Sequence, residues 1–485
     1  MKKILLFVAA SATLLFAACT SESGGPSSNI SYDALKAAEK ADVQTPITFG
    51  TFTPKEAVTR VGIIDDEEDL ATHNGFGVFA YYTAGADYSV TAKPNFMFNQ
   101  QVVGTSGATP TWSYSPIKYW PNNTQRDGTT DYDISVNKDK LSFFAYAPYI
   151  FPADIDADGN VMDNTVAPAV QKDRGVIKVA PANGTISGDV KLTYVGGSSK
   201  YSDELLFGVT QNNTAWHSVD GGTLNILAGM PFKNLVKPVL TPASEKTITF
   251  YFMHALTKIG MTVIAANNKE DGTGGPVLWN DGAADPNKTK ILIEKIEFNR
   301  DMHYGGVLNL NNTTAGQPEW EDLANYHVNP LTIHPDGVVL APNEHAEIDE
   351  DLAWRAEYAT DPTAAWTKEG VITTGEAKSV FGKHGLVNDF LLLIPETAAP
   401  AGDTYITITY HVMTKDANLP NGVSDVKNVI RKKIPAALTL EKAKSYNFRL
   451  ILGVTSVDLD VEVKPWTNVN MGDIYLPKNK ETAAP

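Results

Sequence analysis

Apolar and polar residues alternate in short runs along most of this 485-residue chain, a period of two that marks strands rather than helices. The first run is Ile47–Phe52, with Ile47, Phe49 and Thr51 on one face before Pro54 interrupts. Gly75–Tyr82 (GFGVFAYY) is apolar on both faces and predicts a central strand. Leu141–Tyr149 predicts another, closed by Pro148, and Leu205–Thr210 a shorter one. Ile248–Ile264 reads as two strands around a turn at His254–Lys258. Ile291–Phe298, Gly306–Leu310, Phe390–Ile394, Tyr405–Val412, Tyr446–Val454 and Val457–Val463 continue the pattern. Gly, Pro, Asp and Asn crowd the stretch between Pro148 and Val195, which predicts long loops. No stretch of ten or more residues within these halves keeps a 3.6-residue period, so the fold class is all-β. About 440 residues follow the N-terminal segment, too many for one sandwich. The expectation is two antiparallel β-sandwich domains in tandem, 61–245 and 246–466, divided near Lys246.

The N-terminus predicts a compartment. Lys2-Lys3 precede the apolar run Ile4–Phe16, and Ala17-Ala18 lead into Cys19. This is the pattern of a secretory signal, residues 1–19, ending in a lipobox with Phe16 where leucine is more usual. Cys19 is the only cysteine, so an internal disulfide framework is excluded and acylation is its economical use. The expected product is a lipoprotein precursor held at the outer membrane, with residues 20–60 as tether and first strand. A formal net charge of −16 excludes nucleic acid as a partner, because phosphate contacts need basic surface.

Candidate chemistry is sparse. Asp154, Asp156, Asp158 and Gly159 match the opening of an EF-hand loop, but position twelve is Thr165 in place of the bidentate glutamate. This favours a solvated turn over a calcium site. Nine histidines are scattered without zinc-ligand spacing, and His254 lies in an apolar run that predicts a core position. No nucleophile elbow, phosphate loop or dinucleotide fingerprint occurs, so neither catalytic residues, cofactor nor metal is expected. Trp112, Tyr114, Tyr119 and Trp120 gather four aromatics in a short stretch. These fit a core or domain interface, and they also carry an alternative reading as a surface glycan-binding lipoprotein.

Arg60 stands just before the acidic cluster Asp65-Asp66-Glu67-Glu68-Asp69. Taken alone, Ile47–Phe52 is an ordinary first strand and Arg60 an ordinary loop residue; equally, a trypsin-like protease acting between Arg60 and Val61 would remove the strand and open a groove. The ordered series GFGVFAYY, WSYSPIKYWPN, LSFFAYAPY, ITFYFMHALTKIGMTV, FLLLIPE and YNFRLILGVTSVDLDVEVKPW resembles the fimbrillin family, the lipoprotein-derived subunits of type V pili, from Gly75 to Trp466. That resemblance implies two transthyretin-like sandwiches, acylation at Cys19, cleavage after Arg60, and loss of the strand bearing Ile47, Phe49 and Thr51. It further implies that a donor strand from another pilus subunit refills the groove, in the service of cell adhesion. The tail 467–485 is the candidate donor, with Val469 and Met471, then Ile474 and Leu476, alternating on either side of Gly472-Asp473. The same tail also suits a strand that closes its own domain.

Overall fold

A computed structural model describes residues 46–52, 64, 67–107, 110–121, 138–198, 203–238, 247–265, 289–300, 302–325, 331–333, 371–372, 378–379, 383–384, 387–388, 390–398, 403–416, 418–420, 422–435, 438–452 and 457–465. These belong to one compact unit spanning Pro46–Pro485. The chain is all-β, as expected. Among the described residues the helical elements are α1 (Glu67–Thr72) and a single 3₁₀ turn at Pro152–Asp154. No described helix is long and apolar enough to cross a membrane.

The first half is organised around one large sheet. Its strands are β1 (Thr48–Phe52), β2 (Phe76–Ala84), β3 (Met97–Gly104), β4 (Trp112–Ser113) and β5 (Lys140–Ala147). Later in the chain come β6 (Gly175–Ala180) and β7 (Lys191–Val195), then β8 (Leu206–Val209), β9 (Phe232–Val236) and β10 (Thr247–His254). The order across the sheet is β1-β10-β8-β5-β2-β3-β4, with β9 also paired to β5. GFGVFAYY lies at its centre and is buried on both faces because each face has its own core. Phe76, Val78 and Ala80 enter one cluster, with Phe143, Ala145, Ile248 and Phe250. Phe79 and Tyr81 enter another, with Phe144, Tyr146 and Tyr194.

The second half begins with β11 (Thr257–Ala265), β12 (Thr289–Asn299), β13 (His303–Asn309) and β14 (Glu319–Asn325). It continues with β15 (Leu391–Leu393), β16 (Tyr405–Lys415), β17 (Val423–Lys433), β18 (Lys444–Leu452) and β19 (Val457–Pro465). Sheet β15-β11-β18-β19 faces sheet β12-β16-β17, and the alternate residues Ile259, Met261, Ile406, Ile408, Tyr410, Phe448 and Leu450 fill the space between. Buried Arg300 fixes one margin, gripping Glu396 through two hydrogen bonds and donating at 2.6 Å to the Leu438 carbonyl.

Two features depart from the sequence reading. The stretch expected as loops holds β6 and β7, and β7 pairs antiparallel with β13, more than a hundred residues away. Composition hid them because their partners lie across the chain. The expected turn at His254–Lys258 is instead a crossing, in which β10 joins the large sheet, β11 joins the second sandwich, and Ala255 and Leu256 between them are fully buried. Residues from both sides of position 246 thus build the cluster that contains Tyr194, Leu308 and Leu392.

Candidate functional site: the first strand and its groove

β1 lies at one edge of the large sheet and pairs with β10 in parallel, Thr48 opposite Thr247 and Phe49 opposite Ile248. Period-two alternation sends its apolar side chains inward. Ile47 is 1 % exposed and Phe49 6 %. The Phe49 ring sits in an aromatic box, 5.2 Å from Tyr114, 6.1 Å from Phe143, and stacked at 6.1 Å on Phe250. Thr51 completes the same face half-buried, and its hydroxyl donates to Glu67 at 3.3 Å. On the outer face the hydroxyls of Thr48 and Thr247 meet at 3.0 Å.

Among the described residues, the far side of β1 is clasped at its start. The Ile47 amide donates to the Lys118 carbonyl at 2.9 Å, and the Tyr114 hydroxyl donates to the Ile47 carbonyl at 3.0 Å. Burial raises the pKa of that phenol, so it stays a neutral donor. Burying Ile47 and Phe49 stabilises the fold by roughly 1.5–3 kcal/mol each. The strand is therefore a genuine part of the core, yet it is held along one ladder and one short clasp.

Downstream, the chain is pinned independently of β1. The Ile64 amide donates to buried Glu204 at 2.8 Å, and Glu204 also pairs with Nδ1 of His254. His254, expected in the core, is half-buried and satisfied by that carboxylate. Leu70 of α1 is fully buried in the same cluster as Ile64. Sequence reasoning found Ile47, Phe49 and Thr51 and placed Tyr114 in a core or interface cluster without tying it to this strand; it missed Phe250 and Glu204, whose parts depend on long-range pairing. Cys19, Arg60 and Val61 lie outside the described residues, as do Val469, Met471, Ile474 and Leu476 in the tail.

The other candidates take structural parts. Asp156 Oδ1 accepts the amides of Asp158 and Asn160 at 2.9 and 2.8 Å, and Asp154 accepts the Asn164 side chain. The Asn160 side-chain amide, which donates to Asp156 Oδ2 at 2.9 Å, and then these backbone amides hold Asp156 below its ordinary carboxylate range. Gly159, at φ +84°, is required because a Cβ there would stand 2.2 Å from the Val179 carbonyl. Of the four clustered aromatics, Tyr114 and Trp120 are buried, Trp112 leans on Phe76, and only Tyr119 is exposed, at 47 %. A sugar-stacking platform needs exposed ring faces, and this cluster offers one.

A buried ionic cluster lies on β16, facing away from Tyr410 and the core between the sheets. His411 donates from Nδ1 to Asp425 at 2.8 Å and from Nε2 to Glu294 at 2.9 Å, while Lys427 holds Glu294 at 2.7 Å. Burial pushes His411 down, but the bonds to Asp425 and Glu294 win and raise it. Burial likewise pushes Glu294 up, and the bonds from Lys427 and His411 overcome this and hold it at about 2. With a carboxylate on each ring nitrogen, the arrangement is a closed ionic clamp.

No protein-family model matches the chain. It is similar to the fimbrium subunit Fim1C of Phocaeicola vulgatus, 22% identical over 442 residues that cover 89% of this chain and 92% of the relative. Among solved structures it is similar to a fimbrial protein from Bacteroides vulgatus, at 16% identity and TM-score 0.44, covering 87% of this chain and 99% of that one. A fimbrial assembly protein from Parabacteroides distasonis matches at 8% identity and TM-score 0.29, covering 87% and 98%. The resemblance carried by the ordered aromatic strands thus has a near full-length counterpart in a fimbrium subunit.

Proposed function

We propose that this chain is a structural subunit of a type V pilus that serves cell adhesion, with no catalytic role of its own. It is exported as a lipoprotein acylated at Cys19 and reaches the cell surface at the outer membrane. A trypsin-like protease then cuts between Arg60 and Val61, and subunits join by donor-strand exchange. The chain from 61 to 466 supplies the two sandwiches, which part at the Ala255-Leu256 crossing rather than at position 246, with the tail 467–485 as donor.

One observation carries this reading. β1 fills an aromatic box in the core and, among the described residues, is bonded along one complete edge, to β10. Removing it exposes a row of unpaired β10 backbone groups beside an apolar trough, which is a template for strand addition. The pinning of Ile64 to Glu204 supports it as well, since a cut upstream leaves the remaining chain anchored. Head-to-tail repetition of such a joint does not close and so builds a filament.

Limited trypsin digestion of the purified precursor tests the proposal, with intact-mass analysis and gel electrophoresis without boiling. A single early cut after Arg60 followed by SDS-resistant ladders is expected. A chain that resists at Arg60, or stays monomeric after the cut at any concentration, overturns it.

A further inference from the structure

The groove left by β1 specifies the sequence that can refill it, and that specification recurs once more in the tail. β1 places Ile47 and Phe49 in the core, Thr48 between them on the outer face, and Gly50 immediately after. Gly50 is a tight position, where a Cβ would lie 3.2 Å from Thr249 Oγ1 and 3.4 Å from Thr247 Cγ2. β1 thus reads aliphatic, polar, large apolar, glycine, and a Cβ at the last position would need the Thr249 side chain to give way. Residues Val469-Asn470-Met471-Gly472 match that pattern in order, with the glycine at the same offset.

We infer that the tail of a second copy enters the groove parallel to β10 in one register, Val469 in the place of Ile47, Met471 in that of Phe49 and Gly472 in that of Gly50. This rests on the strand-exchange reading above and fixes what that reading leaves open. Met471 suits the box formed by Tyr114, Phe143 and Phe250, because a thioether packs well against aromatic rings and adapts its shape to them. The tail's other alternating pair fails the same test. Ile474 and Leu476 in those places would put Pro477 at the Gly50 position, adding a ring where a single Cβ is already crowded and removing a backbone donor from the ladder. One residue of the favoured register fits less well. Asp473 replaces Thr51 beside Glu67, and because Glu67 is half-exposed, solvent screens that repulsion.

The register is read by disulfide trapping between copies. Thr48 and Thr247 face each other across the β1–β10 ladder, so Asn470 of the incoming tail should face Thr247. Trimming after Arg60 removes Cys19, the only native cysteine. Trimmed chains carrying Thr247→Cys are mixed with trimmed chains carrying Asn470→Cys, oxidised, and run on non-reducing gels. A second mixture pairs Thr247→Cys with Tyr475→Cys, which reports the rejected register. The expected result is a disulfide-linked pair at least ten times more abundant in the first mixture. Unboiled samples of each single variant under reducing conditions show whether strand exchange itself proceeds. Ladders with no excess of the Asn470 disulfide overturn the register and leave strand exchange standing. Absence of both ladders and disulfides overturns the two together.

Discussion

Two edge strands of this molecule make opposite bargains with solvent. β1 is five residues long, pairs in parallel, and turns Ile47 and Phe49 into an aromatic core. β17 is eleven residues long and pairs antiparallel with β16 along its whole length. Val426 and Val429 of β17 face solvent, at 53 % and 63 % exposure, among Lys427, Arg431, Lys432 and Lys433. An edge guarded by basic side chains resists pairing with other chains. An edge that lends its side chains to the core leaves, on removal, an apolar groove that attracts a replacement. The lesson is that the length of a strand's ladder says little about what its loss exposes.

That contrast can be broken by substitution. Phe49→Ala should destabilise the untrimmed protein by about 3–5 kcal/mol, read by denaturant unfolding, and should change nothing once β1 has been cut away. His411→Ala should cost about 3 kcal/mol in both forms, because it leaves buried Glu294 with one cationic partner fewer. Its effect should not depend on trimming.

The ionic clamp also predicts a pH dependence. His411 has a raised pKa, so its contribution is full below the ordinary histidine value and is lost as pH rises through the raised one. Glu294 is held at about 2; its contribution is full above the ordinary carboxylate value and is lost as pH falls toward that figure. Thermal unfolding should therefore show the native protein losing stability at both ends relative to His411→Ala, by an amount on the order of 1 kcal/mol after allowance for partial solvent screening. The smallest effect belongs to the guarded edge, where Val429→Ala should stay within about 0.5 kcal/mol in equilibrium unfolding.

The contrast also explains what could be read in advance. GFGVFAYY, LSFFAYAPY and the two strands around Ala255 were legible because doubly buried strands are continuous apolar runs. The inward face of β1 was legible from Ile47 and Phe49 at period two. β17 was not, since VSDVKNVIRKK follows the polar rule of a guarded edge. β6 and β7 were hidden because β7 acquires its partner β13 only after the chain has passed through the second half. The same non-locality concealed the groove's lining. Tyr114 was legible as one of four clustered aromatics and Phe250 as part of an apolar run, but only the sheet order brings both against Phe49. Glu204 gave no signal at all, because one carboxylate among the chain's acidic residues becomes distinctive only when buried against Ile64 and His254.

The central claim is that β1 is a core strand meant to be discarded. Intact-mass and N-terminal analysis of the subunits in SDS-resistant polymer taken from the cell surface tests it most directly. The account predicts chains beginning at Val61, lacking both Cys19 and the Ile47–Phe52 strand. Polymer whose subunits still begin at an acylated Cys19 and retain Phe49 would contradict it.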